Sequence, residues 1–180
     1  MKVIALVGMA GAGKSEVARQ FEKNGYTRIR FGDITDLEVK KRGLPLNEAN
    51  ERQVREQLRK EHGMAAYAKL NLPRIDEALQ KSNVVVDGLY SWEDFVLLKD
   101  YYGDKLCLVA VSTSPGTRYS RLAVRQVRPL TGKEAAERDR TEIENINKGG
   151  PIALADFTIT NESSLKELQE QTQRIIERLA

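Results

Sequence analysis

Val3-Ile4-Ala5-Leu6-Val7-Gly8-Met9-Ala10-Gly11-Ala12-Gly13-Lys14-Ser15 decides how this chain folds. Five apolar residues in a row read as a strand buried on both faces, the habit of a parallel sheet covered by helices. The glycines at 8 and 13 and the pair Lys14-Ser15 meet every fixed position of G-x-x-x-x-G-K-[ST]. An amphipathic stretch follows at once, with Val17, Ala18 and Phe21 on one helical face. Strand, glycine loop and helix therefore occur in the order this motif requires. The chemistry explains the residue types. Glycine lets the backbone of Gly8, Met9, Ala10, Gly11, Ala12, Gly13, Lys14 and Ser15 turn its N–H groups onto phosphate oxygens. The start of the helix adds the positive end of its dipole. Lys14 reaches the β- and γ-phosphates, and the Ser15 hydroxyl is a ligand for Mg²⁺.

Nearby alternatives fail on spacing. A dinucleotide-binding turn needs G-x-G-x-x-G, whereas the glycine order here is G-x-x-G-x-G. Asn147-Lys148-Gly149-Gly150 lacks the aspartate of a guanine-reading N-K-x-D, which argues against a switch GTPase. ATP and GTP both stay open as phosphate donors. Met1-Lys2 ahead of the apolar run resembles the start of a signal peptide, but Lys14-Ser15 and a polar helix follow instead of a cleavage site. No stretch is long enough to span a membrane, and the expected location is the cytoplasm.

Outward from the loop, apolar runs alternate with amphipathic ones. Strands are expected at Thr27–Phe31, Val84–Val86, Leu106–Ser112 and Phe157–Thr160, and helices at Trp92–Tyr102 and Arg118–Arg125. Ser164-x-x-Glu167 reads as a capping box opening a last helix. Five strands alternating with helices imply a three-layer α/β domain with a five-stranded parallel sheet. The whole of 1–180 is expected to be one such domain. Two polar segments look inserted: a helical one at 34–81, broken near Gly43-Leu44-Pro45, Gly63 and Pro73, and an arginine-rich one at 126–150. The first is expected to bind an acceptor and the second to act as a lid.

Composition narrows the class. With 29 basic against 26 acidic residues, the net charge of +3 is too small for a nucleic-acid coat, so a nucleic-acid partner is not expected. One cysteine and one histidine exclude an intrachain disulfide and a Cys/His metal cluster. Cys107 falls in an apolar run and reads as core.

In a parallel α/β sheet, ligands gather at the carboxyl ends of the strands. Two acids are expected there. Asp87 after Val-Val-Val suits a metal partner for Ser15, and Asp33 after the second strand suits the acceptor side. Asp36 could take the place of Asp33, and also suits the N-cap of a helix at Leu37. Arg118, Arg121, Arg125 and Arg128 fall within about 80° of one another on a helix, with no acid among residues 115–128. Such a face suits phosphate oxygens, and Arg138 and Arg140 follow it.

These residues together resemble the nucleoside-monophosphate kinase group of P-loop proteins. Within it the chain is most similar to a mostly archaeal family related to dephospho-CoA kinase and adenylate kinase. The resemblance spans nearly the whole chain. It rests on VIALVGMAGAGKSEVA (3–18), RFGDITDLEVKKRGLPLNEANE (30–51), EHGMAAYAKL (61–70), VVVDGLYSWE (84–93), RPLT (128–131), RDRTEIENINKGGPIALAD (138–156) and TITNES (158–163). It implies an ATP site at Gly8–Ser15 and a lid near Arg121–Gly150. Arg121 matches the arginine of the helix leading into such a lid, Arg138 is similar to a lid arginine, and Gly32-Asp33 looks like the Gly-Asp at the acceptor side of adenylate kinases. Two departures bear on the acceptor. Asp87-Gly88-Leu89-Tyr90-Ser91 carries no phosphate-binding arginine, and Gly32-Asp33 has one acid where dephospho-CoA kinases carry Asp-x-Asp.

The resulting expectation is an ATP- and Mg²⁺-dependent phosphotransferase acting on a nucleotide-like small molecule, as a monomer or weak dimer. Lys14 would stabilise the moving phosphoryl group, Ser15 and Asp87 the metal, and Arg121 and Arg138 the developing charge. Asp33 would orient or deprotonate the acceptor, with Arg55 and Arg59 on a helix of the insert. The competing expectation is a nucleotide-binding regulatory module or slow ATPase with no small-molecule acceptor.

Overall fold

The computed structural model describes residues 1–179. Its centre is the apolar run of the sequence: β1 (Val3–Val7) is fully buried along all five residues. Around it lie β2 (Thr27–Arg30), β3 (Val84–Asp87), β4 (Leu106–Ser112) and β5 (Phe157–Thr160), all parallel, in the order β2-β3-β1-β4-β5. The expected five-stranded parallel sheet is what the chain forms. Val84–Val86 is extended by one residue, so Asp87 is the last residue of β3, beside Leu6 on one side and Arg30 on the other.

Alternate side chains of β1 feed two cores because strand residues point to opposite faces. Ile4 and Leu6 pack with Val17, Ala18 and Phe21 of α1 (Lys14–Lys23) and with Leu168, Ile175 and Ile176 of α9 (Leu165–Leu179). Val3, Ala5 and Val7 face the other layer. That layer includes α2 (Asp33–Lys41), α3 (Glu48–His62), α4 (Ala66–Leu79) and α5 (Trp92–Tyr102). A short 3₁₀ turn at Gly103–Lys105 leads into β4, where Cys107 sits in the core and burial pushes its thiol up to about 11. Beyond β4 come α6 (Pro115–Ala123), α7 (Gly132–Glu144) and α8 (Gly149–Ala153), and a small third core of Ala10, Leu122, Leu130 and Ala135 ties α6 and α7 to the glycine loop. No helix among the described residues is long and apolar enough to cross a membrane.

Four local expectations are corrected. Segment 34–81 is not set apart from the core: Val39 of α2, Val54 and Leu58 of α3, and Tyr67, Ala68 and Ile75 of α4 are all buried in it. Pro73 does not break α4, which runs through it. Asp36 is not an N-cap, since α2 already starts at Asp33. The capping box of α9 is half formed. Ser164 accepts from the Glu167 N–H at 3.2 Å, but the Glu167 carboxylate turns to the Ser163 hydroxyl.

Candidate active site

The cleft forms where β1 ends between β3 and β4, the point at which the sheet's connections diverge to either side. Gly8 leaves β1 at φ 147°, and a Cβ there would lie 2.3 Å from the Val111 carbonyl oxygen of β4. No side chain fits. Gly13 closes the loop at φ 105°, where a Cβ would meet Asn161 Nδ2 at 2.3 Å. That amide donates to the Ala12 carbonyl at 2.8 Å, and Thr113 donates to the same oxygen at 3.1 Å, so the loop is held from β4 and β5. Helix α1 then starts with no side-chain cap, leaving its first N–H groups free for an anion.

Lys14 folds back over the loop and donates to the Gly8 and Met9 carbonyls at 2.8 and 3.0 Å. Burial first, and the charge of Lys148 second, hold its ammonium down to about 7. The Ser15 hydroxyl donates to Asp87 Oδ1 across 3.4 Å. Asp87 is buried, and Arg28 on β2 takes its other oxygen from Nη2 at 2.5 Å and Nε at 3.2 Å. Arg28 therefore neutralises Asp87 while leaving Oδ1 turned to Ser15. Two hard oxygens this close fit the donor set of a Mg²⁺ ion that keeps most of its waters.

The second expected carboxylate, Asp33, is the first residue of α2, just past the end of β2. Asp33 accepts from Arg30 and from Arg74, each at 3.1 Å. Asp36 accepts from the same Arg30 at 2.8 Å and from Arg128 at 3.3 Å. Beside them lies a groove of about 560 Å³, with Asp33, Asp36, Lys40 and Arg74 at its polar end and Leu37 and Leu44 along its wall. Neighbouring Gly32 is close-packed, because a Cβ would stand 2.8 Å from the Tyr90 hydroxyl.

The arginine stripe does not survive as one face. Helix α6 ends at Ala123, so Arg125 and Arg128 lie beyond it, Arg128 at φ 58°. Nor is the stripe free of acids, because distant segments supply them. Arg118 is buried and grips Asp139 of α7 through both nitrogens, at 2.8 and 2.5 Å. It also donates to the carbonyls of Thr113 at 3.1 Å and Ala10 at 3.2 Å. It is a rivet between α7 and the glycine loop. Arg121 donates to the Asn161 carbonyl at 3.1 Å, and its Nη1 is buried without a partner. Arg128 lies 2.7 Å from Glu51 in an ion pair, and Arg138 lies 3.5 Å from Glu48. These pairs tie the segment 126–150 to α3, and the Arg128 bond to Asp36 ties it to α2.

Lys14, Ser15 and Asp87 thus meet at the end of β1. Arg121 lies at Asn161 beside the loop, Arg138 at Glu142 and Glu48, and Asp33 past the end of β2 on a groove lined by no residue of the loop. Sequence reasoning missed Arg28, Glu142 and Lys148. Arg28 is one strand residue among many. Glu142 accepts from Arg138 at 3.2 Å and from Lys148 at 2.7 Å. Burial alone would raise it, but those two cations outweigh burial and hold it down to about 2.

The profile of a family described as AAA domain matches residues 4–146. A UPF0200 protein of Thermococcus onnurineus is 35% identical over 98% of this chain and 97% of its own length. One of Pyrococcus furiosus is 36% identical over 97% of this chain and 95% of its own. Among solved structures, a shikimate kinase of Bacteroides thetaiotaomicron superposes with TM-score 0.63 at 16% identity, covering 99% of this chain and 98% of that one. A gluconokinase of Sinorhizobium meliloti does so with TM-score 0.56 at 17% identity, covering 99% and 95%. At such identities the likeness is one of fold, that of P-loop kinases. The chain belongs to the archaeal UPF0200 family of P-loop proteins.

Proposed function

We propose that this protein is an ATP- and Mg²⁺-dependent phosphotransferase whose acceptor is a nucleotide or nucleotide-like small molecule. One observation carries the reading: Ser15 meets Asp87 beside the loop that bears Lys14, and Arg30, next to Asp87 in the sheet, holds Asp33 at a separate carboxylate-bearing groove. A nucleotide-binding module without an acceptor has no use for such a groove. The loop amides and Lys14 bind the donor phosphates, and Arg121 and Arg138 meet the charge that develops on the moving group. Ser15 and Asp87 would hold Mg²⁺, which when bound neutralises charge on the phosphates. Asp33, with one guanidinium on each oxygen, orients the acceptor oxygen; Asp36 is its alternative. That oxygen bonds to the γ-phosphorus, the bridge to the β-phosphate breaks, and ADP leaves. A hydroxyl acceptor gives its proton to Asp33 or to water. The lid ion pairs exclude water, which otherwise competes as acceptor.

The test is ADP release across nucleoside monophosphates and dephospho-CoA, against the rate with water alone. If none raises the rate above water, the kinase reading falls and the regulatory module or slow ATPase takes its place. Asp33→Asn is expected to lower transfer to the acceptor by about 10²-fold or more while leaving water-only hydrolysis nearly unchanged. Equal loss of both rates would assign Asp33 to the loop and not to the acceptor.

Lys14 gives the binding step a pH dependence. Its ammonium is held down to about 7, so above that pH the free protein carries a largely neutral Lys14. A bound triphosphate favours the charged form, and binding must then take up a proton. Affinity for ATP is expected to fall between pH 7.5 and 9, by up to tenfold per pH unit. Calorimetry in buffers of different ionisation heat should show proton uptake at pH 8, absent in Lys14→Ala.

A further inference from the structure

We propose that Lys148 is a second phosphate-binding lysine, held by Glu142 at the place where the phosphoryl group passes from donor to acceptor. The inference rests on the phosphotransferase reading above and adds a residue to it. Lys148 is only 2% exposed, and what its ammonium meets there is a carboxylate and an aromatic ring. Its Nζ donates to Glu142 Oε2 at 2.7 Å and lies 5.6 Å from the centre of the Tyr90 ring. An ammonium has three donors. One is used by Glu142, the ring face accepts weakly, and no other acceptor is within reach among the described residues.

The seat of Lys148 is built for it. Asn147 before it adopts φ 50°, a conformation that non-glycine residues rarely take. Gly150 after it presses so closely on Trp92 that a Cβ would lie 2.6 Å from the indole. Ile146 accepts from the Trp92 N–H at 3.1 Å, and Lys148 donates its own N–H to the Glu142 carbonyl at 3.1 Å. A buried ion pair alone adds little to stability, since desolvation offsets its attraction. Such a seat is better accounted for by a ligand.

Position names the ligand. Lys148 lies over the ring of Tyr90, whose edge would stand 3.2 Å from a Cβ on Gly88, the residue after Asp87, and, after burial, its charge helps hold the Lys14 ammonium down. The Tyr90 hydroxyl abuts Gly32 beside Asp33. Lys148 and Arg138 both donate to the carboxylate of Glu142, and the charge of Lys14 also acts on it. An incoming γ-phosphoryl group supplies the acceptor oxygens that Lys148 lacks. Glu142 is the positioning residue that keeps the ammonium aimed at it.

The test compares ATP with ADP binding in Mg²⁺ by calorimetry, with no acceptor present. Lys148→Met is expected to weaken ATP tenfold or more and to leave ADP within threefold, because only ATP carries the γ-phosphate. Lys148→Arg should keep most of the ATP preference. The double variant Lys148→Met/Glu142→Gln removes both members of the pair while Arg138 keeps Glu48, and it decides the matter if the single variant unfolds. Equal loss for ATP and ADP, or no loss for either, overturns the inference and leaves a purely structural ion pair. A wild-type protein that binds neither nucleotide overturns the phosphate-loop reading itself and this inference with it. Wild-type binding of both without any acceptor-dependent turnover sinks the kinase reading alone.

Discussion

Replacing Lys14 by alanine is expected to lower ATP turnover by about 10³-fold, the loss seen when one preorganised charged donor is removed from a transition state. Lys14 is the cation of the loop that would follow negative charge as it builds on the bridging oxygen of the departing ADP. In the free protein it is parked on the carbonyls of Gly8 and Met9, which a bound nucleotide displaces. The fold does not depend on it. Those two bonds lie within its own loop, and α1 and β1 are held by Val17, Phe21, Ile4 and Leu6. The sign of its ionisation supports this. A folded-state ammonium held near 7 against an ordinary 10.5 means that the unfolded chain binds more protons between those values. Folding is therefore opposed by this group at pH 7, and less so as pH rises toward 10.5. Lys14→Ala removes that opposition, so its melting temperature at pH 7 should be no lower than wild type. Unchanged ADP release in a folded Lys14→Ala protein would end the phosphotransferase reading. A variant that loses activity by unfolding would contradict the local account of Lys14.

What the sequence made legible was local. The run Val3–Val7, the loop and α1 follow from one contiguous pattern, and Val84–Val86 is buried on both faces because nothing else tolerates three valines there. Asp87 is legible for the same reason, as the first charge after such a run. The arginines were not. Their spacing describes a helix that stops at Ala123, and their partners Asp139, Asp36, Glu51 and Glu48 come from segments 21 to 92 residues away or across the cleft. Charge read along 115–128 looked unopposed only because folding supplies the opposition. Helix α4 was misread for a related reason. Its buried face carries Tyr67 and Ile75, but Lys69, Asn71, Pro73, Arg74, Asp76 and Glu77 break the apolar run along the chain. Lys148 entered only as a failed guanine-reading motif, since nothing adjacent announces that Glu142 will bury it.

Arg118→Met is the variant expected to cost the most stability. Breaking one side of a buried ion pair costs about 3–5 kcal/mol, because the surviving charge keeps its desolvation without its partner. Asp139 would retain the Tyr119 hydroxyl, which donates to it at 3.0 Å, so the loss should fall nearer ~3 kcal/mol than the top of that range. For a chain of this length that is a fall in melting temperature of ~6–12 °C. The double variant Arg118→Met/Asp139→Leu removes both charges and should recover much of the loss, since apolar residues of similar size replace such pairs with little penalty. The consequence for function differs from that for stability. Arg118 also donates to the Ala10 carbonyl, so it couples the base of the lid to the phosphate loop. The double variant restores packing but not that bond. It should melt near wild type and still bind ATP more weakly, through a loop whose Ala10 has lost its anchor. If Arg118→Met costs less than ~1 kcal/mol, the pair is not the rivet its geometry describes. If the double variant recovers stability and ATP affinity together, the Ala10 bond is dispensable, and lid and loop are coupled only through the small core of Leu122, Leu130 and Ala135.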